Sequence, residues 1–154
     1  MAVCTFFGHR DCPASLRPQL RAAVVALIEK HGVDRFYVGR QGAFDALARS
    51  VLRELEELYP HIFCAVVLER LPGPGDEAAR DFSHTILPEG LETAPPRFAV
   101  SRRNEWMLKQ SDFVVTYITH GWGGAARFAD KARRQGKAVI PLAQAPDRPL
   151  SGES

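Results

Sequence analysis

Arg102 to Lys137 reads RRNEWMLKQSDFVVTYITHGWGGAARFADKARRQGK, a complete strand-turn-helix unit, and the rest of the chain reads as its supporting sheet and the facing walls of a pocket. Phe113-Val114-Val115-Thr116-Tyr117-Ile118 is a short apolar run rich in β-branched and aromatic residues, as expected of a strand buried on both faces. Gly121-Trp122-Gly123-Gly124 follows it. Without a Cβ, these glycines let backbone N–H groups approach a ligand, and the helix they open aims the positive end of its dipole at the same spot. The plain alternative is a tight turn with no ligand. Two further glycine turns favour the ligand: Phe6-Phe7-Gly8-His9-Arg10 and Tyr37-Val38-Gly39-Arg40-Gln41-Gly42 also follow apolar runs and precede helical patterns. In an open parallel sheet the loops at the carboxyl ends of the strands share one edge, so three such turns line one crevice.

Outward from this unit, the strand-helix alternation continues. Ala2 to Phe7 reads as a first buried strand. Its helix has Ser15 as N-cap, Pro18 in the first turn, an apolar stripe of Leu16, Leu20, Val24, Leu27 and Ile28, and Gly32 as its stop. Phe36 to Val38 is a second strand, and Phe44, Leu47, Val51, Leu52, Leu55 and Leu58 mark a helix ended by Tyr59-Pro60. Ile62 to Leu68 is the third strand. The connection over about 69–97 is rich in proline and glycine, and Phe82, Ile86, Leu87 and Leu91 favour a packed flap. A helix from about Arg97 to Lys109 leads into the opening strand, Gly136 caps the helix after it, and Ala138 to Leu142 is the fifth strand. The pattern predicts a single α/β domain over 1–144, a Rossmann-like three-layer sandwich on a mainly parallel five-stranded sheet of order 3-2-1-4-5, with a frayed tail over 145–154.

Composition narrows the partners. The 154 residues are 45% hydrophobic and 25% charged, ordinary for a soluble domain, and no linker divides them. A net charge of +2 is too small to argue for nucleic acid or a membrane surface as partner, although a pI of 8.6 forbids neither; with no aromatic-basic interleave for a single strand present, neither is expected. MAVCTFFGHR lacks a basic segment followed by a long apolar run, and no stretch has the length of a membrane span, so the expected compartment is cytoplasmic. Cys4, Cys12 and Cys64 are odd in number and lack metal-ligand spacing, which reads as reduced thiols, with no metal and no cofactor expected. A homo-oligomer is compatible with the sequence.

Chemistry comes from single side chains. On its helix Arg103 has Ala99 and Met107 four residues either side and Val100 and Trp106 three away, so it lies on the inward face. A guanidinium keeps its proton and, once buried, needs an anion beside it. That anion is Asp45, Glu89 or Asp112, or else a ligand phosphate. His9-Arg10, at the end of the first strand, offers a switchable proton donor and an anion clamp, or merely a local hydrogen bond and an Arg10–Asp11 pair. Asp45 in the first turn of its helix either answers the dipole or accepts from a ribose hydroxyl. His31, His61 and His84 read as surface or loop residues, as does His120 unless it closes over the Gly123-Gly124 turn.

CTFFGHRDC, FYVGRQGAFD and PEGLETAPPRFAVSRRNEWMLKQSDFVVTYITHGWGGAARFADKA resemble, in order and spacing over nearly the whole chain, the YpsA-like branch of the SLOG superfamily, which also holds the lonely-guy phosphoribohydrolases and the DNA-processing protein A fold. The resemblance implies a binder, or sensor, of a nucleotide or nucleotide-derived phosphorylated ligand. The implied binding set is Gly8, His9, Arg10, Gly39, Gly42, Asp45, Arg103, Asn104, Gly123 and Gly124. The alternative is an N-glycosidase of the lonely-guy type, acting on nucleoside 5′-monophosphates. The arginine of that group's Arg-Lys-x-x-Met motif matches Arg103, and its catalytic glutamate falls on Asp130. Its Pro-Gly-Gly-x-Gly-Thr-x-x-Glu motif survives only in part as Trp122-Gly123-Gly124-Ala125-Ala126-Arg127-Phe128-Ala129-Asp130. A carboxylate set back by roughly 1 Å can lose on the order of a hundredfold in rate, and Asp130 has Arg134 four residues on as an ordinary surface partner.

Overall fold

In the computed structural model, which describes residues 2–75 and 84–143, six parallel strands form one sheet. They are β1 (Ala2–Gly8), β2 (Val33–Val38), β3 (Phe63–Val67), β4 (Thr85–Ile86), β5 (Phe113–Tyr117) and β6 (Ala138–Pro141), in the spatial order β4-β3-β2-β1-β5-β6. The chain starts in the middle of the sheet and winds first to one side through α1 (Arg17–His31) and α2 (Gly42–Leu58). It then crosses to the other side through α3 (Pro96–Gln110) and α4 (Gly124–Arg134). The switch falls between β1 and β2 on one hand and β1 and β5 on the other, the place where the loops splay apart and leave a crevice.

Alternation along β1 splits the core in two. Cys4 and Phe6 face α1 and α2, packing with Leu20, Val24, Phe44, Val51, Leu52 and Leu55. Val3 and Phe7 face α3 and α4, packing with Met107, Leu108, Phe128 and Ala132. Phe6, Phe36, Phe44 and Phe128 are among the largest fully buried side chains, each worth about 1.5–3 kcal/mol in apolar transfer. The helices therefore clamp the sheet from both faces, giving the three-layer Rossmann-like sandwich expected from the alternation.

The differences from expectation are local. The sheet has six strands where five were expected: Thr85–Ile86 pairs with Val66 and Val67, adding β4 outside β3 and leaving the expected order of the other five intact. Two residues carry no readable periodicity, so β4 exists only because β3 offers it a free edge. β2 begins at Val33 rather than Phe36, since Val33 is wholly buried. Ser15 caps no helix; it lies within a 3-10 turn, Ala14–Leu16, and α1 starts at Arg17 with no side-chain cap. Gly32 ends α1 in the left-handed region at φ 67°, where a glycine costs nothing sterically. In the 69–97 connection the described part holds β4 and a 3-10 turn at Leu91–Thr93. Phe82 and the tail 145–154 lie outside the described residues. Among the described residues no helix is long and apolar enough to cross a membrane.

Candidate functional site

At the carboxyl ends of β1, β2 and β5 the three glycine turns meet around a cavity of about 420 Å³. The first turn supplies Gly8, His9 and Arg10, the second Gln41 and Asp45, and the third His120, Trp122, Gly123 and Gly124. α3 closes the space with Val100, Arg103, Asn104 and Met107. Gly39 and Gly42 are not in its lining; they lie just behind it.

What each glycine faces separates them into two kinds. A Cβ on Gly8 would fall 2.3 Å from the ring of Phe44, one on Gly42 2.7 Å from the Cα of Arg10, and one on Gly39 2.6 Å from Arg103 Nη1 and 2.8 Å from Asp45 Oδ2. These three admit the protein's own atoms. At Gly121, Gly123 and Gly124 nothing lies within 4 Å. Gly123 (φ 94°) is the N-cap of α4 and brings no side-chain hydrogen bond to it, so no side chain caps the first amides of α4.

Arg103 is 2% exposed. Its Nε donates to Asn104 Oδ1 at 3.0 Å, its Nη1 donates to the carbonyl of Val67 at 3.4 Å, and the same nitrogen lies 3.8 Å from Glu69 Oε1. Asp45 converges on it over Gly39, while accepting from the backbone N–H of Gln41 at 2.9 Å. Glu69 is shared. It also takes a two-pronged grip from Arg40, Nε and Nη2 each donating at 3.0 Å. Burial alone would raise Glu69, but the Arg40 hydrogen bonds and the charges of Arg40 and Arg103 outweigh it and hold the carboxyl below its ordinary value. For Asp45 burial wins and pushes the carboxyl up, against the pull of Arg103 and the Gln41 amide. Arg49 adds a third guanidinium by donating to the carbonyl of Gly39 at 3.0 Å. Of this cluster Arg103 and Asp45 reach the cavity lining, and Arg40, Arg49 and Glu69 stand outside it.

Of the carboxylates considered for Arg103, Asp45 is beside it. Asp112 accepts from the backbone N–H of Val3, at the opposite end of the sheet. Glu69 was missed, since a lone acid after a strand gives no sequence signal until the fold brings β2 and α3 around it.

The opposite wall is aromatic. The rings of His9 and His120 stack at 3.7 Å and 14°, and His120 stacks on Trp122 at 3.8 Å and 21°. His120 therefore does close over the glycine turn. Its backbone N–H donates to His9 Nε2 at 3.4 Å, and an accepting nitrogen carries no proton. Burial first, then the neighbouring His120, push His9 below its ordinary value, while Asp11 pulls it back. Trp122, 72% exposed, ends the stack as a bare indole face at the mouth. In the sequence Trp122 stands between two glycines, where a core tryptophan would be stranded, and that is the signal of its exposure.

Asp130 lies elsewhere. It borders an outer groove on the far side of the Gly123-Gly124 turn, with a side chain 63% exposed and Oδ2 3.1 Å from Arg134 Nε. The structure does not bring it together with Arg103. Cys4, Cys12 and Cys64 are free thiols that burial pushes up, and no cluster of three metal-ligating side chains occurs among the described residues.

No protein-family model and no curated protein sequence matches the chain. Solved structures do. DNA processing protein A from Streptococcus pneumoniae aligns with a TM-score of 0.70 at 14% identity, over 99% of this chain and 53% of that one, so the chain spans about half of its length. DNA processing protein A from Helicobacter pylori, described for its single-stranded DNA binding mode, aligns with a TM-score of 0.66 at 14% identity, over 99% of this chain and 70% of that one. The chain shares the three-layer Rossmann-like fold of these proteins. This corrects the expectation that the charge balance disfavours nucleic acid as a partner, because a protein of the same fold binds single-stranded DNA. A net charge averages over the whole surface, whereas single strands are held by locally placed cations and by stacking on aromatic faces, which net charge does not report.

Proposed function

We propose that the cavity binds a phosphorylated, nucleoside-derived ligand, in the manner of the YpsA-like branch of the SLOG superfamily. The observation that carries this reading is one hollow whose lining suits both ends of a nucleotide. The uncapped N-terminus of α4 at Gly123 and Gly124 and the guanidinium groups of Arg103 and Arg10 suit a phosphate. The His9–His120–Trp122 stack offers a ring face to a base. Between them Asp45 and the amide of Asn104, whose Oδ1 is already taken by Arg103, are placed to read sugar hydroxyls. A cavity of about 420 Å³ falls in the range of small-molecule sites. Free thiols at Cys4 and Cys64, both buried, fit a reducing, cytoplasmic setting in which such ligands abound.

Thermal unfolding with AMP, ADP-ribose and NAD tests the reading. A ligand at a hundred times its dissociation constant adds about 2.7 kcal/mol, which raises Tm by roughly 5–10 °C in a chain of this size. No shift with any of the three, in a protein that melts cooperatively, would overturn it. The glycosidase reading has less support, since Arg103 and Asp130 border different hollows. Chromatography of the same mixtures for released base or nicotinamide tests it directly.

A second reading is a single strand of nucleic acid, and the exposed indole of Trp122 favours it, because base stacking on aromatics is sequence-tolerant. A salt-sensitive shift of an unlabelled-sequence oligonucleotide that disappears in Trp122→Ala supports it; binding unaffected by that change removes its basis.

A further inference from the structure

The turn that forms one wall of the cavity is also the wall of a second hollow. Trp122, Gly123 and Gly124 line both the inner cavity and an outer groove of about 810 Å³ that runs along α4 past Arg127 and Arg133. The groove face of the helix is set by spacing: Ala126, Asp130 and Arg133 succeed one another at intervals of four and three, with Arg127 beside them. Asp130, the one acid on this face, is occupied by Arg134 at 3.1 Å. Arg127 is held in place, its Nη2 donating to Ser101 Oγ at 3.0 Å and its guanidinium 5.1 Å from the centroid of the Phe128 ring. Arg133 pairs with no carboxylate among the described residues. The groove is thus a cationic continuation of the inner site, and between them stands an indole with one face against His120 and the other in solvent.

We infer that the ligand is a phosphate-bridged dinucleotide: one nucleoside unit in the inner cavity, the bridge passing over the Gly123-Gly124 turn beside Trp122, and the second unit in the outer groove against Arg127 and Arg133. This rests on the proposed nucleotide-binding function and specifies its ligand. A mononucleotide fills only the inner hollow and leaves the two arginines unused. A bridged pair reaches both, and the turn has no side chain to obstruct the crossing.

The test is the ratio of two dissociation constants, measured by calorimetry on the full chain. AMP is the one-unit probe; 5′-phosphorylated pApA and NAD are the two-unit probes, with phosphodiester and pyrophosphate bridges. At least one two-unit probe binds about tenfold tighter than AMP or better, the size of one charge-assisted hydrogen bond, and the better of the two identifies the bridge. In the double variant Arg127→Ala, Arg133→Ala that ratio falls toward one. AMP binding as tightly as both two-unit probes overturns the inference while leaving the nucleotide reading intact. So does a ratio that survives the double substitution. Failure of all three probes to bind removes both. Because each ratio is taken within one protein, a change in stability from the substitutions cancels, and cooperative melting of the variant checks that it is folded.

Discussion

Gly124→Ala separates a glycine kept for a guest from one kept for packing. Gly124 is the first residue of α4, its φ is not positive, and a Cβ there meets nothing within 4 Å. The substitution therefore has no steric cost in the free protein, and by restricting the unfolded chain it should add about 0.4–1 kcal/mol, or roughly 1–4 °C in Tm. The same methyl projects where the phosphate is to meet the amides of the turn. Losing one charge-assisted contact costs about 1.5–3 kcal/mol, which is roughly 10- to 150-fold in affinity. Paired melts with and without AMP read both effects at once: the free protein melts slightly higher, and the ligand-induced rise shrinks or disappears. A variant that gains stability and keeps the full ligand response would refute the argument, because the open space beside Gly124 would then have no bearing on binding. Gly123 is unsuited to the experiment, since its φ of 94° would strain any side chain.

Gly39→Ala should behave in the opposite way. Its Cβ would stand 2.6 Å from Arg103 Nη1, so overpacking should cost about 1–3 kcal/mol in chemical denaturation, and an unchanged midpoint would contradict the contact. Asp130→Asn should alter stability by no more than about 0.5 kcal/mol and leave the AMP response untouched; loss of that response would restore Asp130 to the site. The pH dependence of stability should carry the mark of His9. Its folded pKa is depressed, so its contribution is fully present above the unfolded value of about 6.5 and is lost as pH falls below that through the folded value. Urea titrations of wild type and His9→Asn between pH 8 and 5 should therefore diverge on the acid side, and parallel curves would count against the depressed His9.

The strand-helix alternation was legible because each helix carries its apolar residues on one face and each central strand is buried on both. Phe44, Val51, Leu52 and Leu55 announce α2, and the run from Phe113 announces β5. The glycine turns were legible as places where a Cβ is unwelcome, but not what fills the space. Gly39 admits Arg103 and Asp45, Gly8 admits Phe44, and of the three turns it is the third, at Gly121, Gly123 and Gly124, that leaves room for something else. That distinction belongs to tertiary packing. Arg103 could be placed on an inward face by its spacing, whereas Glu69, held by Arg40 from β2's turn and Arg103 from α3, depends on three segments far apart in the chain. β4 lay below the reach of periodicity, being only two residues long.

The two margins of the sheet are finished differently. On one, Thr85–Ile86 takes up the amides of Val66 and Leu68, which donate to His84 and Ile86 at 3.2 and 2.7 Å. On the other, β6 ends in Pro141, which has no N–H to offer. Bare strand backbone is what lets copies of a sheet protein zip together into ribbons, and here a short graft on one side and an imino acid on the other leave little of it to recruit. Copies of this chain that meet should therefore do so through helix surfaces, and crowded solutions should stay free of fibrous deposits.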